Sequence, residues 1–216
     1  MIPKKLNFVW VGDESNCPDI VIDTWKVNHP GWEIIIWRNN EFHFHDWKLK
    51  DLMKEMWDSD QLCGVADLMR WEILAKYGGY TVDADLISLA TLPDWLSDCS
   101  FFASYENETV RKGLISNGIV GCEIGSKDAK RIMNFLLSKK HIAYKYNFMH
   151  WKYKKNKAWE VTGPKLLTKL ISFSETATIL PSHFFCRYII PVNITQALIL
   201  FMHISYGGVQ KMAMSP

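Results

Sequence analysis

Residues Gly78–Ile87 read GGYTVDADLI, and their reading decides the fold. The glycine pair ends a long helical run, since a residue without a β-carbon adopts the positive φ that stops a helix. A strand is expected to follow at once. Side chains alternate across a strand, so Thr81, Asp83 and Asp85 would share one face while Tyr80, Val82, Ala84 and Leu86 share the other. The apolar face reads as core. Two carboxylates side by side repel, which leaves two readings of the other face: a solvated edge, or a pair of acids with a divalent cation between them.

Upstream, Gln61–Tyr77, QLCGVADLMRWEILAKY, is the clearest helix in the chain, apolar on more than one face and therefore largely buried. Asp67 and Arg70 lie three apart on one side of it. Inside such a run an unpaired charge is costly. They either pair with each other or open together onto a cleft, Arg70 toward an anion and Asp67 toward hydroxyls. Further elements alternate. LNFVWV (6–11) and WEIIIW (32–37) read as strands, with a helix over 18–28 between them and another from Asp46 or Trp47 to Trp57. SFFASY (100–105) and NGIVGCEI (117–124) read as strands and 127–137 as a helix. TGPKLLTKLISF (162–173) starts a helix, with Thr162 as its cap and Pro164 in its first turn. ALILFMHI (197–204) closes the chain as an apolar run. The pattern is that of an α/β sheet with helices on both faces and a binding cleft at the carboxyl ends of its strands.

The chain has 216 residues, 48% of them hydrophobic, enough for the core of one domain. Its 10 Trp, 8 Tyr and 11 Phe exceed what that core needs, so some rings are expected to line a site. Five scattered cysteines with no C-x-x-C pair argue against a disulfide framework or structural zinc and for a reducing, cytoplasmic setting. The histidines of HFH, His43 and His45, read as a loop pair rather than a metal site. The apolar N-terminal run is too short for a signal peptide, and the segment 188–204 falls short of a membrane span. The net charge is only +2. Yet residues 129–159 hold 9 Lys or Arg and no acid, so all 23 acidic residues lie elsewhere. Within this segment KKHIAYKYNFMHWKYKKNKAW interleaves lysines with aromatic rings, a pattern suited to phosphates and flat ring faces.

Taken together, these residues resemble a known family. VADLMRWEILAKYGGYTVDADL (65–86) resembles the signature A-x-x-S-D-x-x-R-x-x-I-L-x-x-Y-G-G-x-Y-x-D-x-D of the DXD-containing glycosyltransferase family 32. Asp67, Arg70, Ile73, Leu74, Tyr77, Gly78, Gly79, Asp83 and Asp85 match, and Ala66 stands where the family has serine. IPKKLNFVWVG (2–12) is similar to the family's opening strand, with Asn7 in place of the usual histidine. VNHPGWEIIIW, ISNGIVG and VTGPKLLTKLI resemble the segments that follow. MHISYGG (202–208) resembles the closing element, with Tyr206 for tryptophan and shortened spacing from His203.

The resemblance implies a single GT-A-like domain over 1–216, a mixed, mostly parallel sheet flanked by helices. It implies a retaining transferase that moves a hexose or pentose from a UDP- or GDP-sugar to an acceptor. Trp10 would stack on the base, and Asn117 would sit near the donor sugar with Asp67 and Arg70. Asp83, Asp85 and His203 would ligate Mn²⁺ or Mg²⁺, hard cations that need only one or two carboxylates beside phosphate oxygens. Asp83 would ligate the metal directly or through water, or hold the ribose hydroxyls. Glu160 is a candidate nucleophile for a two-step path. Trp151, Lys152, Lys154, Lys155 and Lys157 would meet an anionic acceptor: modified DNA, or a phosphate-linked or lipid-linked glycan. The alternative is a sugar-nucleotide or polyanion binding module with impaired catalysis. A metal-dependent nuclease or phosphatase fits poorly, because such sites gather more carboxylates around two metals.

Overall fold

The structure is a computed structural model that describes residues 1–147 and 152–185, of which 145–147 and 152–154 are described by backbone alone. Met1–Phe185 form one compact unit. Trp151, His203 and the apolar run 197–204 lie outside the described residues, so the expected extent of the domain to residue 216 is not addressed by it.

The chain runs β1 (Lys5–Val9), α1 (Asp19–Asn28), β2 (Glu33–Trp37), α2 (Asn39–Phe44), α3 (Lys50–Asp58), α4 (Leu62–Tyr77) and β3 (Gly79–Val82). It continues β4 (Phe101–Asn107), β5 (Arg111–Cys122), α5 (Lys127–Leu137), β6 (Tyr144–Asn147), β7 (Lys152–Lys155), α6 (Ala158–Val161), α7 (Pro164–Ile171) and β8 (Ala177–Leu180). Six strands form one sheet in the order β2-β1-β3-β5-β4-β8, while β6 and β7 form a separate antiparallel hairpin. The pairs β1–β2, β1–β3 and β4–β8 are parallel; β5 is antiparallel to both its neighbours. This is the expected mixed, mostly parallel α/β sheet.

Alternation along the strands builds two cores. Leu6 and Phe8 of β1, Tyr80 and Val82 of β3, Phe102 and Ile119 pack with Ile22 and Trp25 of α1 on one face. Val9, Phe101, Ala103, Val120 and Cys122 pack with α3, α4, α5 and α7 on the other. Helix α4 is buried along most of its length, from Gly64 to Leu74. A buried Asn7 stitches the first strands together: its Nδ2 donates to the Tyr80 carbonyl, and its Oδ1 accepts from Trp37 Nε1. The Gly78–Gly79 turn is obligatory. Both residues have positive φ, and a β-carbon would fall 2.9 Å from Ile124 N at Gly78 and 2.9 Å from the Lys5 carbonyl oxygen at Gly79.

Four sequence expectations are corrected. Helix α3 starts at Lys50 rather than near Asp46, because the Glu72 carboxylate accepts from Lys48 N and Leu49 N and fixes the chain just before the helix. His43 lies within α2 and His45 is its extended C-cap, so the first of the pair is helical and only the second is outside the helix. Thr162 is not the cap of α7: Gly163 holds that position and Pro164 follows in the first turn. Strand β3 ends at Val82, so Asp83 and Asp85 do not share a strand face with Thr81, which is buried in the core.

Candidate active site

Beyond Val82 the chain turns. Asp83 N donates to the Gly118 carbonyl of β5 at 2.7 Å, and Leu86 N donates back to the Asp83 carbonyl at 3.0 Å. The turn lifts Asp85 out of the sheet and leaves it exposed, while Asp83 stays half-buried at the strand tip. The two acids therefore differ in setting, one anchored and one open.

Arg70 anchors the first. It projects from buried α4, and its Nη1 donates to Asp83 Oδ1 while Nη2 donates to the carbonyls of Asn117 and Gly118. The guanidinium side chain is 7% exposed and Asp83's is 41% exposed. Arg70 thus pairs with Asp83 and not with Asp67, settling the alternative left open by the helix spacing, and its planar fork ties the ends of β3 and β5 into one piece. Gly118 makes room for this, since a β-carbon there would lie 3.1 Å from Asp83 Oδ2. Burial raises the Asp83 carboxyl above the usual range; Arg70 pulls it down and the neighbouring Asp85 adds to the rise. With two-fifths of the side chain open, solvent screening blunts the burial contribution.

Asp67 lies one turn earlier on α4, 9% exposed. Asn117 Nδ2 donates to its Oδ1 at 2.7 Å and the Thr162 hydroxyl to its Oδ2 at 2.9 Å. Burial pushes its pKa up to about 6, against the pull of Arg70 and of these two donors. Thr162 is the site residue that the sequence reading missed. Its place in T-G-P marks a helix start, but the hydroxyl serves Asp67 instead. A β-carbon at Gly163 would fall 3.0 Å from Asp67 Oδ2, so glycine is what allows this turn to close on the carboxylate.

Trp10 follows β1 directly, and β1 pairs Phe8 with Val82, which sets Trp10 and the two acids at the ends of adjacent parallel strands. The indole is half-buried and packs against the core. Its Nε1 donates to the Asp13 carbonyl at 2.9 Å. With its polar atom satisfied internally, the ring is left to act through its face. The loop that carries it is bracketed by Asn39, whose side-chain amide donates to the Gly12 carbonyl at 2.7 Å and accepts from Gly12 N at 2.9 Å.

The arrangement brings together Trp10, Asp67, Arg70, Asp83, Asp85 and Asn117 at one end of the sheet. Lys155 and Lys157 are exposed just before α6, and Lys152 and Lys154 lie on β7. Among the described residues no cluster of three or more His, Cys, Asp or Glu could hold a metal by itself. A Mg²⁺ or Mn²⁺ nevertheless fits: the exposed Asp85 and the open oxygen of Asp83 are hard ligands, and such ions fill their remaining positions with water and phosphate oxygens. The mutual repulsion of the two acids is what a cation would relieve. The four described cysteines are free, and Cys122, buried, is pushed up to about 12 and is inert. Among the described residues no helix is long and apolar enough to cross a membrane.

Comparison with solved structures identifies the class. The chain is similar to the UDP-bound glycosyltransferase domain from the YGT toxin, with a TM-score of 0.55 at 9% identity, covering 86% of this chain and 81% of that one. It is similar to the PaToxG glycosyltransferase, with a TM-score of 0.52 at 15% identity over 79% and 69% of the two chains. The fold is that of GT-A-like glycosyltransferase domains. Residues 3–191 match the family described as "Capsular polysaccharide synthesis protein", and the chain belongs to that family. Among curated proteins it is 24% identical over 200 residues to "Subversion of eukaryotic traffic protein A" of Legionella pneumophila, covering 77% of this chain and 31% of that protein. It is 31% identical over 127 residues to "Uncharacterized protein L263" of Acanthamoeba polyphaga mimivirus, covering 56% and 20%. The chain therefore spans less than a third of the length of these two relatives.

Proposed function

We propose that the chain is a metal-dependent, retaining glycosyltransferase of the DXD type found in family 32, moving a hexose or pentose from a UDP- or GDP-sugar to an anionic acceptor. One observation carries this reading: Arg70 fixes Asp83 at the tip of β3 with Asp85 open beside it, next to the Asp67–Asn117 pair across β5. The family match and the fold shared with a UDP-bound domain support it.

In this reading the face of Trp10 takes the base. Asp85 and the outer oxygen of Asp83 hold Mn²⁺ or Mg²⁺, which when bound supplies Lewis-acid neutralisation of the diphosphate leaving group. Arg70 acts by favouring the ionised form of Asp83 and fixing its orientation, which preorganises the carboxylate for the cation. Asp67, gripped on both oxygens, keeps lone pairs for one or two donor-sugar hydroxyls, since a carboxylate offers about four acceptor sites. Asn117 orients it. A front-face retaining path asks for no protein nucleophile. Glu160 sits on an outward turn in an ion pair with Lys165 at 2.9 Å, a setting that favours that path over a covalent one.

The hairpin supports the anionic acceptor. Its two strands bring Lys145 and Lys154 to opposed backbone positions within the stretch of 129–159 that holds 9 basic residues and no acid. The test is UDP or GDP release from a panel of donor sugars, with and without Mn²⁺. Metal-dependent release with one base is the expected result. Donor binding without turnover across the whole panel would instead favour a binding module with impaired catalysis.

A further inference from the structure

The donor-side groups form a row across the sheet. Trp10 follows β1, Asp83 follows β3, and Asn117 lies in β5, three strands adjacent in that order. Asp67, bonded to Asn117, continues the row, and the elements that meet it there are α6 and α7. If base, diphosphate and sugar occupy the row in sequence, the second substrate has to arrive from beyond Asp67. That wall is α6.

Helix α6 is tied down on its inner side. Ala158 is buried, and its N–H donates to Gln61 Oε1 at the start of α4 at 2.9 Å. Trp71 Nε1 donates to the Thr162 carbonyl at 2.7 Å just after it. Its outer side carries Trp159, 38% exposed. A β-carbon at Gly163 would lie 3.0 Å from both Trp159 Cα and Asp67 Oδ2, so this tryptophan springs from the backbone that presses on the sugar-side carboxylate. Lys165 Nζ lies over the Trp159 ring, 4.2 Å from its centroid, and pairs with Glu160 Oε1 at 2.9 Å, which puts a donor and an acceptor beside the indole.

The indole, partly open to solvent beside Lys165, takes no part in the donor row. Its flat face suits the C–H surface of a pyranose, and flanking charged groups suit the ring's hydroxyls. We infer that Trp159, with Glu160 and Lys165, forms the subsite for a pyranose ring of a saccharide acceptor. The inference rests on the transferase reading above and adds to it the acceptor's chemical class: a glycan whose sugar ring meets Trp159, with the exposed Lys155 and Lys157 just before α6 available to its anionic groups.

Saturation-transfer NMR on the whole chain tests it, with UDP and Mg²⁺ present and methyl glycosides of glucose, mannose and glucuronic acid as probes. At least one glycoside is expected to receive saturation in its ring protons. Trp159→Ala should cut that signal at least fivefold relative to the UDP signal in the same tube, and Trp159→Phe, which keeps an aromatic face, should retain most of it. No glycoside signal with the unaltered chain, or an unchanged ratio in Trp159→Ala, would overturn the subsite. A missing UDP signal would count against the donor reading alone, since the glycoside signals still judge Trp159.

Discussion

The division of labour between two neighbouring carboxylates is set by single residues. Asp83 is held by a buried guanidinium, whereas Asp85 is exposed and has no ion pair among the described residues. Asp85→Ala should therefore fold normally and lose turnover by about a hundredfold or more, the scale expected when a main electrostatic stabiliser goes; melting temperature and UDP release measured together check both halves. Arg70→Lys keeps the charge but cannot serve Asp83 and two carbonyls at once. It should lower both stability and donor affinity, and a variant with wild-type values of each would contradict the clamp. Thr81 offers the reverse case. Its hydroxyl is buried with no hydrogen-bond partner among the described residues. Thr81→Val should be neutral or stabilise by about 1 kcal/mol in chemical denaturation. At this scale the sequence marked the two acids but not their setting, since alternation placed Asp83 and Asp85 on one strand face and the strand stops at Val82; it was silent where a partner comes from afar. Nothing near Thr162 announces that its hydroxyl serves an acid 95 positions away.

At the scale of elements, the helix that carries the site is also the one that organises the fold. Glu72, on the same α4 as Asp67 and Arg70, is 3% exposed and accepts from the two amides preceding α3. Negative charge at a helix start also meets the favourable end of its dipole. Glu72→Ala leaves the buried Leu49 amide unmet and should cost about 1–3 kcal/mol by denaturant titration; a loss under about 0.5 kcal/mol would show that water replaces the carboxylate. The alternating pattern gave away most elements, including α4 and its glycine stop. It overran β3 because apolar alternation continues through Ala84 and Leu86 after the ladder has ended. The chain then turns through a local bond from Leu86 to Asp83, while the bond that anchors the turn, from Asp83 to Gly118, involves a strand over thirty residues further on and leaves no local trace.

For the whole molecule, charge and fold are coupled through pH. Asp67, near 6 when folded against 3.8 for the free side chain, binds a proton in the native state before the unfolded chain does. Its ionisation thus opposes folding above about pH 6, and the penalty is relieved as pH falls toward 4. His29 acts in the opposite sense. Buried with Nδ1 on the Trp25 carbonyl and Nε2 accepting from Leu92 N, it is held below its ordinary value, so stability falls as pH drops through about 6.5, where the unfolded imidazole takes a proton. Comparing the chain with Asp67→Asn isolates the first effect: the stability difference should shift in favour of the unaltered chain between pH 7 and 4.5. A constant difference would mean that Asp67 titrates normally. The domain class was legible from α/β alternation and the D-x-D signature, while the row from Trp10 to α6 emerged only once strand order was known. The most direct measurement of the central claim is the melting temperature with UDP and Mn²⁺, separately and together. Together, at a hundred times the dissociation constant, they should add about 2.7 kcal/mol, or about 5–10 °C, far more than either alone, and Asp85→Ala should abolish the excess. Equal stabilisation by UDP without metal, or an undiminished excess in Asp85→Ala, would contradict it.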